Sequence, residues 1–292
     1  MRCSRNRGAE RFGNGCSSAA ARRMRLIFSA PFKSTTRQMR KTLSNLLTVT
    51  CVTCLLTSGC TESQRPSGPD GSPAAADANL APRAERVLTR EERDQLTPDE
   101  VLDSLKQGNQ RFVAGTLTSR DHSKQVRSAA LGQFPKAVIL SCLDSRIPVE
   151  DVFDRGIGDL FVARVAGNFA NTDILGSMEF GCKVSGSKLI LVLGHEHCGA
   201  ISGAIDDVEL GNITAMLANI RPAVDHFADY QGDKSSANEE FVHMVAEQNV
   251  RSTIAGIRKN SPILADMESN GQLKIVGGMY HMDTGTVTFF EE

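Results

Sequence analysis

Two stretches of the chain decide its fold: AVILSCLDSR at residues 137–146 and KLILVLGHEHCG at residues 188–199. Each begins with an apolar run of strand length and ends in polar side chains that can bind a metal ion. Near-continuous apolar runs joined by helical sequence are typical of neighbouring parallel strands, and sites in such sheets lie beyond the carboxyl ends of the strands. We therefore expect Cys142, His195 and Cys198 to converge on one point.

These three side chains form a set of donors that favours Zn²⁺ over Mg²⁺ or Ca²⁺, because thiolates are soft ligands and imidazole is a borderline one. Three protein ligands leave the fourth tetrahedral position for water, which is typical of a catalytic rather than a structural site. Zinc lowers the pKa of its water to about 7, so that hydroxide is available at neutral pH. The alternative is two ordinary buried cysteines and a core histidine.

Three motifs carry a resemblance to the β-class carbonic anhydrases. They are Cys142-x-Asp144-Ser145-Arg146, Arg164-x-Ala166-Gly167-Asn168 and Gly194-His195-x-x-Cys198-Gly199. The resemblance extends more weakly from about Pro98 to Thr286. It implies an α/β fold with a central, mostly parallel sheet of about four strands flanked by helices. It also implies reversible hydration of CO₂ to bicarbonate and a proton, with zinc-bound hydroxide as the nucleophile.

The resemblance assigns roles to further residues. It implies that Asp144 accepts a hydrogen bond from the metal-bound water and that Arg146 keeps this carboxylate ionised and oriented. In some members of the family the aspartate instead binds the metal and switches the enzyme off. The alternative interpretation of Asp144 and Arg146 is an ordinary salt bridge on the surface. Gln133, in a Gln-x-Pro element, is expected to line the pocket. Apart from the resemblance, Gly199 lies at a predicted helix start and has no side chain to shield its N–H, so this N–H is expected to contact a bicarbonate oxygen; a tight turn at Gly199 is compatible with that role.

Other residues near these motifs leave alternatives open. His197 lies between two predicted ligands at a position that varies in the family, and it is either a proton shuttle or a solvated loop residue. Cys182 falls in an apolar helix and is expected to be a buried thiol. Two other functions use the same ligands: hydrolysis of CO₂-like molecules such as carbon disulfide or carbonyl sulfide, and non-catalytic zinc binding.

The resemblance also implies a homodimer or a dimer of dimers, with the active site near the subunit interface. The N-terminal helices of the folded part either embrace a partner subunit, as the resemblance suggests, or pack on their own core.

The formal charge of −1 hides a strong asymmetry along the chain. Residues 1–59 hold 11 of the 33 Lys and Arg residues and only one of the 34 acids, Glu10. Subtracting these leaves 22 basic and 33 acidic residues from Cys60 onward, a net charge of −11. Binding to nucleic acid or to an anionic lipid surface through bulk charge is therefore not expected.

The chain divides into three predicted parts. Residues 1–59 combine an upstream extension with a secretion signal, in which Met39 is the expected true start, Arg40 and Lys41 are the basic region and residues 43–56 are apolar. Residues 60–87 are Cys60 followed by a flexible linker rich in Ser, Pro, Gly, Ala and Asp. Residues 88–292 form the zinc-dependent carbonic anhydrase domain.

The signal is similar to that of bacterial lipoproteins, in which the cysteine after the cleavage site is lipidated. We therefore expect lipidation of Cys60, although Thr57 stands where such signals usually carry Leu. A plain secretory signal or a short anchor is the alternative. The expected location is the periplasm, after secretion across the inner membrane, with membrane contact only through the lipid on Cys60.

Apolar periodicity predicts strands at residues 136–141, 159–165, 188–193 and 273–280, and an edge strand at 286–290. A helix is predicted from the capping residue Thr97, and a helix start at Pro148. Further helices are predicted at residues 123–131, 172–184, 199–205 and, with an interruption at 231–236, 213–258.

Overall fold

The computed structural model describes residues 87–290. Met39, Cys60, the predicted secretion signal and nearly all of the predicted linker lie outside the described residues, so the predictions about them stay predictions. Within the described part, no helix combines the length and the apolar composition that crossing a bilayer requires.

In residues 87–290, one sheet contains five strands. They are β1 (Ala137–Ser141), β2 (Leu160–Arg164), β3 (Leu189–His195), β4 (Lys274–Tyr280) and β5 (Val287–Phe289). Their order across the sheet is β2-β1-β3-β4-β5, with the first four parallel and β5 antiparallel to β4. The predicted α/β class with a mostly parallel sheet is confirmed. The predicted edge strand joins the sheet, which therefore has five strands instead of about four.

Helices cover both faces of this sheet. In the described residues they are α1 (Arg90–Gln95), α2 (Pro98–Val113), α3 (His122–Ala129), α4 (Val149–Val152), α5 (Thr172–Glu179), α6 (Gly199–Ile205), α7 (Gly211–Leu217), α8 (Arg221–Asp225), α9 (Glu239–Asn260) and α10 (Pro262–Ser269). The predicted helix at residues 172–184 changes its hydrogen bonding, because α5 continues into a π-helical turn at Phe180–Val184.

The predicted helix at residues 213–258 is broken more widely than expected. It consists of α7, α8 and α9, and the gap before α9 runs from residue 226 to residue 238. Asn238 ends this gap because its side chain accepts a hydrogen bond from the N–H of Phe241, which caps α9.

Alternate residues of the central strands point to opposite faces of the sheet. In β1, Val138 and Leu140 lie in one apolar cluster, together with Cys142 and residues of α6 and α9. Ala137 and Ile139 lie in the other cluster, together with residues of α2 and α4. Burial on both faces explains why the strands read as continuous apolar runs.

The N-terminal helix α2 packs on the core of its own subunit, which was one of the two alternatives. Val101 and Leu105 are fully buried in the second cluster. Beyond α2, the chain is fixed by the buried carboxylate of Asp154. It accepts hydrogen bonds from Arg111 Nε at 2.5 Å and from the N–H of Thr118 at 3.0 Å.

Arg120 Nη2 also lies 2.7 Å from Asp154 Oδ1. Asp154 therefore binds three residues that are more than thirty positions earlier in the sequence. Burial opposes ionisation of Asp154, but hydrogen bonds from Arg111, Thr118 and Arg120 hold its pKa at about 2. Its φ of 48° is in the left-handed region, which Asn adopts more readily than most residues. Asp154→Asn thus removes the charge with little change in shape or backbone preference.

We expect Asp154→Asn to lower the free energy of unfolding at pH 7 by about 3 kcal/mol, because the buried guanidinium group of Arg111 and the partly buried one of Arg120 lose their counter-charge. The pKa of Asp154 in the folded protein lies below the usual value of 3.8 for this side chain, so the stabilisation is complete above that pH and is lost as the pH falls toward 2. Denaturant unfolding at pH 7 and pH 3 measures both effects. The control is Asp225→Asn in the exposed pair with Arg221, which should cost less than about 1 kcal/mol. Equal costs for the two variants would contradict this account.

Candidate metal centre

The predicted ligands follow the carboxyl ends of two neighbouring strands. Ser141, the last residue of β1, pairs with Leu193 of β3. Cys142 therefore lies beside the end of β3, where His195 is the last residue. Cys198 follows on the connecting turn and is the N-cap residue of α6. The parallel register thus brings together two segments that are about fifty residues apart in sequence.

The three side chains converge as predicted. One sulfur or nitrogen atom from each of Cys142, His195 and Cys198 lies within 4.8 Å of the others. The two Sγ atoms are 3.9 Å apart, and the residues are 4%, 1% and 1% exposed. Two sulfurs that each lie about 2.3 Å from a tetrahedral metal ion would be about 3.8 Å apart. The spacing of the sulfurs therefore fits a shared metal ion.

The His195 ring is oriented for binding a cation. Its Nδ1 lies 2.8 Å from the backbone oxygen of Glu196. Because a carbonyl oxygen only accepts, Nδ1 carries the proton, and the lone pair of the neutral ring is on Nε2. Nε2 is buried and has no hydrogen-bond partner among the described residues. Leaving such an atom unpaired costs about 1–3 kcal/mol, which a metal–nitrogen bond would offset.

The two thiols lose their protons in separate steps. The pKa of Cys142 is lowered to about 4, chiefly because Cys198 donates a hydrogen bond to its sulfur. The pKa of Cys198 is raised, chiefly by the same hydrogen bond and then by burial. One proton therefore leaves easily, and the second stays unless a cation offsets the repulsion between two close thiolates. This behaviour fits a pair of metal ligands.

The donor set suits a borderline-soft transition-metal cation. Three donors would leave one tetrahedral position for an exchangeable ligand, as in catalytic sites. The residues present therefore fit a metal centre that can also bind a small molecule.

Asp144 and Arg146 form a bidentate ion pair at the edge of this cluster. Arg146 donates from Nε to Asp144 Oδ1 at 2.9 Å and from Nη2 to Oδ2 at 2.7 Å, and its backbone N–H also donates to Oδ1. The hydrogen bonds from the Arg146 side chain lower the pKa of Asp144 to about 2. The pair is more than a salt bridge between two solvated side chains. The Asp144 side chain is only 16% exposed, and it also accepts a hydrogen bond from the backbone N–H of Arg146.

Arg164, the first residue of the second motif, fixes the loop that carries both Cys142 and Asp144, a contact that the motif alone does not predict. Its Nε donates to the backbone oxygen of Cys142 at 2.8 Å, and its Nη2 donates to the backbone oxygen of Asp144. Arg164 is the last residue of β2, which pairs with β1. The predicted position of Arg164 at the end of a strand next to β1 was the feature of the sequence that could have indicated this contact.

Glu196 and His281 fix the other loop. The Glu196 carboxylate accepts hydrogen bonds from His281 Nδ1 at 2.9 Å and from the N–H of Met282 at 3.1 Å. These contacts tie the turn between His195 and Cys198 to the connection after β4. The sequence contains no pattern that relates His281 to the predicted ligands, so only the structure could identify this contact.

Two further predicted residues lie beside the cluster. Gly199 is exposed at the first position of α6, as predicted, and a Cβ atom there would meet no other atom within 4 Å. His197 is exposed on the turn, and its backbone oxygen lies 3.4 Å from Arg146 Nη2. Cys182 is a buried thiol in the π-helical turn, as predicted.

Gln133 does not join the cluster within one chain. It is exposed and lies four residues before β1, whereas Cys142 follows the end of that strand. Five strand residues separate the two ends by about 16 Å. Within one subunit, β1 therefore separates Gln133 from the cluster, because the two residues lie at opposite ends of the strand, and the prediction that Gln133 lines the pocket stays a prediction.

Comparisons with known proteins find relatives over the part of the chain that carries this cluster. The family model described as carbonic anhydrase matches residues 137–287. Carbonic anhydrase 2 of Mycobacterium tuberculosis is 36% identical over 187 residues, which cover 62% of this chain and 87% of that protein. The carbonic anhydrase of Mycolicibacterium smegmatis is 33% identical over 190 residues, which cover 63% of this chain and 89% of that protein.

Solved structures agree at the level of the fold. The β-carbonic anhydrase CafA of Aspergillus fumigatus is similar with a TM-score of 0.52 and 25% identity, covering 58% of this chain and 82% of that one. The Coccomyxa β-carbonic anhydrase in complex with acetazolamide has a TM-score of 0.53 and 24% identity, covering 66% of this chain and 85% of that one. From the matched motifs, the sheet order and these relatives, the chain belongs to the carbonic anhydrases, a family of enzymes, and within them to the β class.

Proposed function

We propose that the chain catalyses the reversible hydration of CO₂ to bicarbonate and a proton with a zinc ion held by Cys142, His195 and Cys198. The observation that supports this most directly is the meeting of two buried thiols and an unpaired imidazole nitrogen at the carboxyl edge of the sheet. Zinc is the proposed metal because sulfur and nitrogen donors suit it and a three-ligand site leaves a position open.

When bound, zinc supplies a Lewis acid that lowers the pKa of a coordinated water to about 7. Asp144 accepts a hydrogen bond from the attacking water and thereby directs an oxygen lone pair at the carbon of CO₂. Oδ1 of Asp144 already accepts two hydrogen bonds from Arg146, whereas Oδ2 accepts one and retains a lone pair for the water. Because Arg146 and Arg164 hold this carboxylate and its loop in advance, little reorganisation is needed during the reaction.

Two further groups are proposed to bind the bicarbonate product and to carry the proton away. The N–H of Gly199 lies in the first turn of α6, where backbone donors have no partner within the helix, and it is proposed to contact a bicarbonate oxygen. The exposed ring of His197 is one route for the proton to bulk solvent, and a buffer molecule is the other.

Stopped-flow measurement of CO₂ hydration by the zinc-loaded protein, across neutral and mildly alkaline pH, tests this function. Activity that disappears when zinc is chelated and returns when it is restored supports the proposal. Hydrolysis of carbon disulfide or carbonyl sulfide by the same preparation, without hydration of CO₂, would overturn it in favour of a related hydrolase. One zinc ion per chain without turnover of any of these substrates would point to a binding protein.

The proposed assembly is a homodimer or a dimer of dimers. The edge strand β2 supports it, because its apolar residues Phe161 and Val162 are only half-buried, next to the exposed ring of Phe180. The similar fold of two β-carbonic anhydrases from Sordaria macrospora, described as tetrameric, agrees with an oligomer. A second subunit is also required if Gln133 is to reach a metal centre. Sedimentation velocity tests the assembly, and a monomer at micromolar concentration would contradict it.

The proposed location is the periplasm, with the protein anchored by a lipid on Cys60. Its support is the order of residues 39–60, in which a basic start and an apolar segment precede the cysteine. Mass spectrometry should find a lipid adduct that Cys60→Ala abolishes, together with release of the protein from membranes. Unchanged membrane partitioning of the variant would refute the anchor.

A further inference from the structure

Asn249 is a buried amide on the face of α9 that packs against the sheet. It is 2% exposed, and its neighbours on that face, Val245, Ala246, Val250 and Ile254, are apolar. An amide in such surroundings destabilises the fold unless it is hydrogen-bonded. Its Nδ2 donates to the backbone oxygen of Gly167 at 2.8 Å. The helix thus uses its buried amide to hold one residue, which lies 82 positions earlier in the chain.

Gly167 binds Asn249 through its carbonyl oxygen and contacts the predicted metal centre through its N–H group. Its N–H donates to Cys142 Sγ at 3.3 Å. Its φ of +83° lies in the left-handed region, and a Cβ atom at this position would lie 2.3 Å from Ile220 Cδ1. Only glycine fits here, yet glycine has the most mobile backbone of all residues. The direction of the Gly167 N–H therefore depends on contacts that hold this residue from outside.

We infer that Asn249 is a positioning residue of the metal centre, which fixes Gly167 so that its N–H hydrogen-bonds the Cys142 sulfur. The inference rests on the proposed function, because it requires that Cys142 is a metal ligand. A hydrogen bond to a ligand sulfur orients the sulfur and takes up part of its negative charge. Loss of such outer-shell partners typically weakens metal binding about 10–100-fold.

The structure offers a matched control in Asn109. It is also a buried helical asparagine, and its Nδ2 donates to the backbone oxygens of Val152 and Gly285 at 3.2 and 2.9 Å. Its Oδ1 accepts from the N–H of Val287 at 2.8 Å. These contacts tie α2 to α4 and to the hairpin of β4 and β5, and they do not include a predicted metal ligand. Asn109→Ala and Asn249→Ala should both lower the melting temperature, so stability alone does not distinguish them.

Zinc affinity does distinguish them, measured by competition with a chromogenic chelator on the whole protein. Asn249→Ala should bind zinc about 10–100-fold more weakly than the unchanged protein, whereas Asn109→Ala should bind it as tightly. In cobalt-substituted protein, the sulfur-to-cobalt charge-transfer band should shift in the Asn249 variant and stay in place in the Asn109 variant. Asn249→Leu keeps the branching of the asparagine side chain and lacks the donor, so it should reproduce the effect if the alanine variant fails to fold.

Equal zinc affinity in the Asn249 and Asn109 variants, with an unshifted cobalt band, would overturn the inference while leaving the proposed function intact. An unchanged protein that does not bind zinc at all would instead overturn both.

Discussion

Replacing Cys198 by alanine should remove the metal ion and the carbonic anhydrase activity together. Cys198 is one of the three proposed donors, and two donors hold a metal ion far more weakly than three. We expect zinc content to fall from one ion per chain to a small fraction. Loss of a partner that only hydrogen-bonds a ligand costs up to about 100-fold. Because Cys198 would bind the metal directly, we expect kcat/KM for CO₂ hydration to fall by more than that.

Cys182→Ala is the matched control, because both cysteines are about 1% exposed and belong to the same apolar cluster. Burial raises the pKa of Cys182 to about 12, so this thiol stays protonated. Its removal should reduce stability but leave zinc content and activity unchanged. Metal analysis and stopped-flow assays on both variants measure the contrast. A Cys198 variant that retained its zinc and its activity would contradict the proposed ligand set.

Replacing Asp144 by asparagine should greatly reduce activity while the metal ion stays bound. The variant keeps the size of the side chain but loses the charge that Arg146 holds and one of the two carboxylate oxygens. Loss of one pre-positioned hydrogen-bonding group in an active site typically costs about 10²–10³-fold in kcat. We expect a loss of that size in CO₂ hydration, with zinc content near that of the unchanged protein.

Asp173→Asn is the control for charge removal, because Asp173 lies in the first turn of α5 and has no contact with the predicted ligands. Its activity should match that of the unchanged protein. If Asp144→Asn also matched it, Asp144 would have no role in orienting the attacking water. If the Asp144 variant instead lost its zinc, the residue would contribute to metal binding.

The central part of the fold was predictable because its signals are local. The apolar runs at residues 136–141 and 188–193 give strands at nearly the predicted bounds, and the parallel register then brings Cys142 and His195 together. Helices α1 and α10 were missed. They are only six and eight residues long, and their capping residues Thr89 and Ser261 are common in loops as well.

The contacts that support the site were not predictable in the same way. Asn249 reads as a polar residue within a helical pattern, and nothing near it in sequence indicates that it faces Gly167. Gln133 was predicted from a motif, but the direction of β1 places it at the opposite edge of the sheet from Cys142. Such contacts depend on how distant segments pack, which periodicity and motif spacing do not describe.

X-ray absorption at the zinc edge of the purified protein tests the central claim most directly. The account predicts one zinc ion per chain with two sulfur neighbours at about 2.3 Å, one imidazole nitrogen at about 2.0–2.1 Å and one light atom from solvent. Cys198→Ala should remove a sulfur from this shell or empty the site. A shell of oxygen atoms only, or a fourth ligand from the protein that solvent and substrate do not displace, would contradict the account.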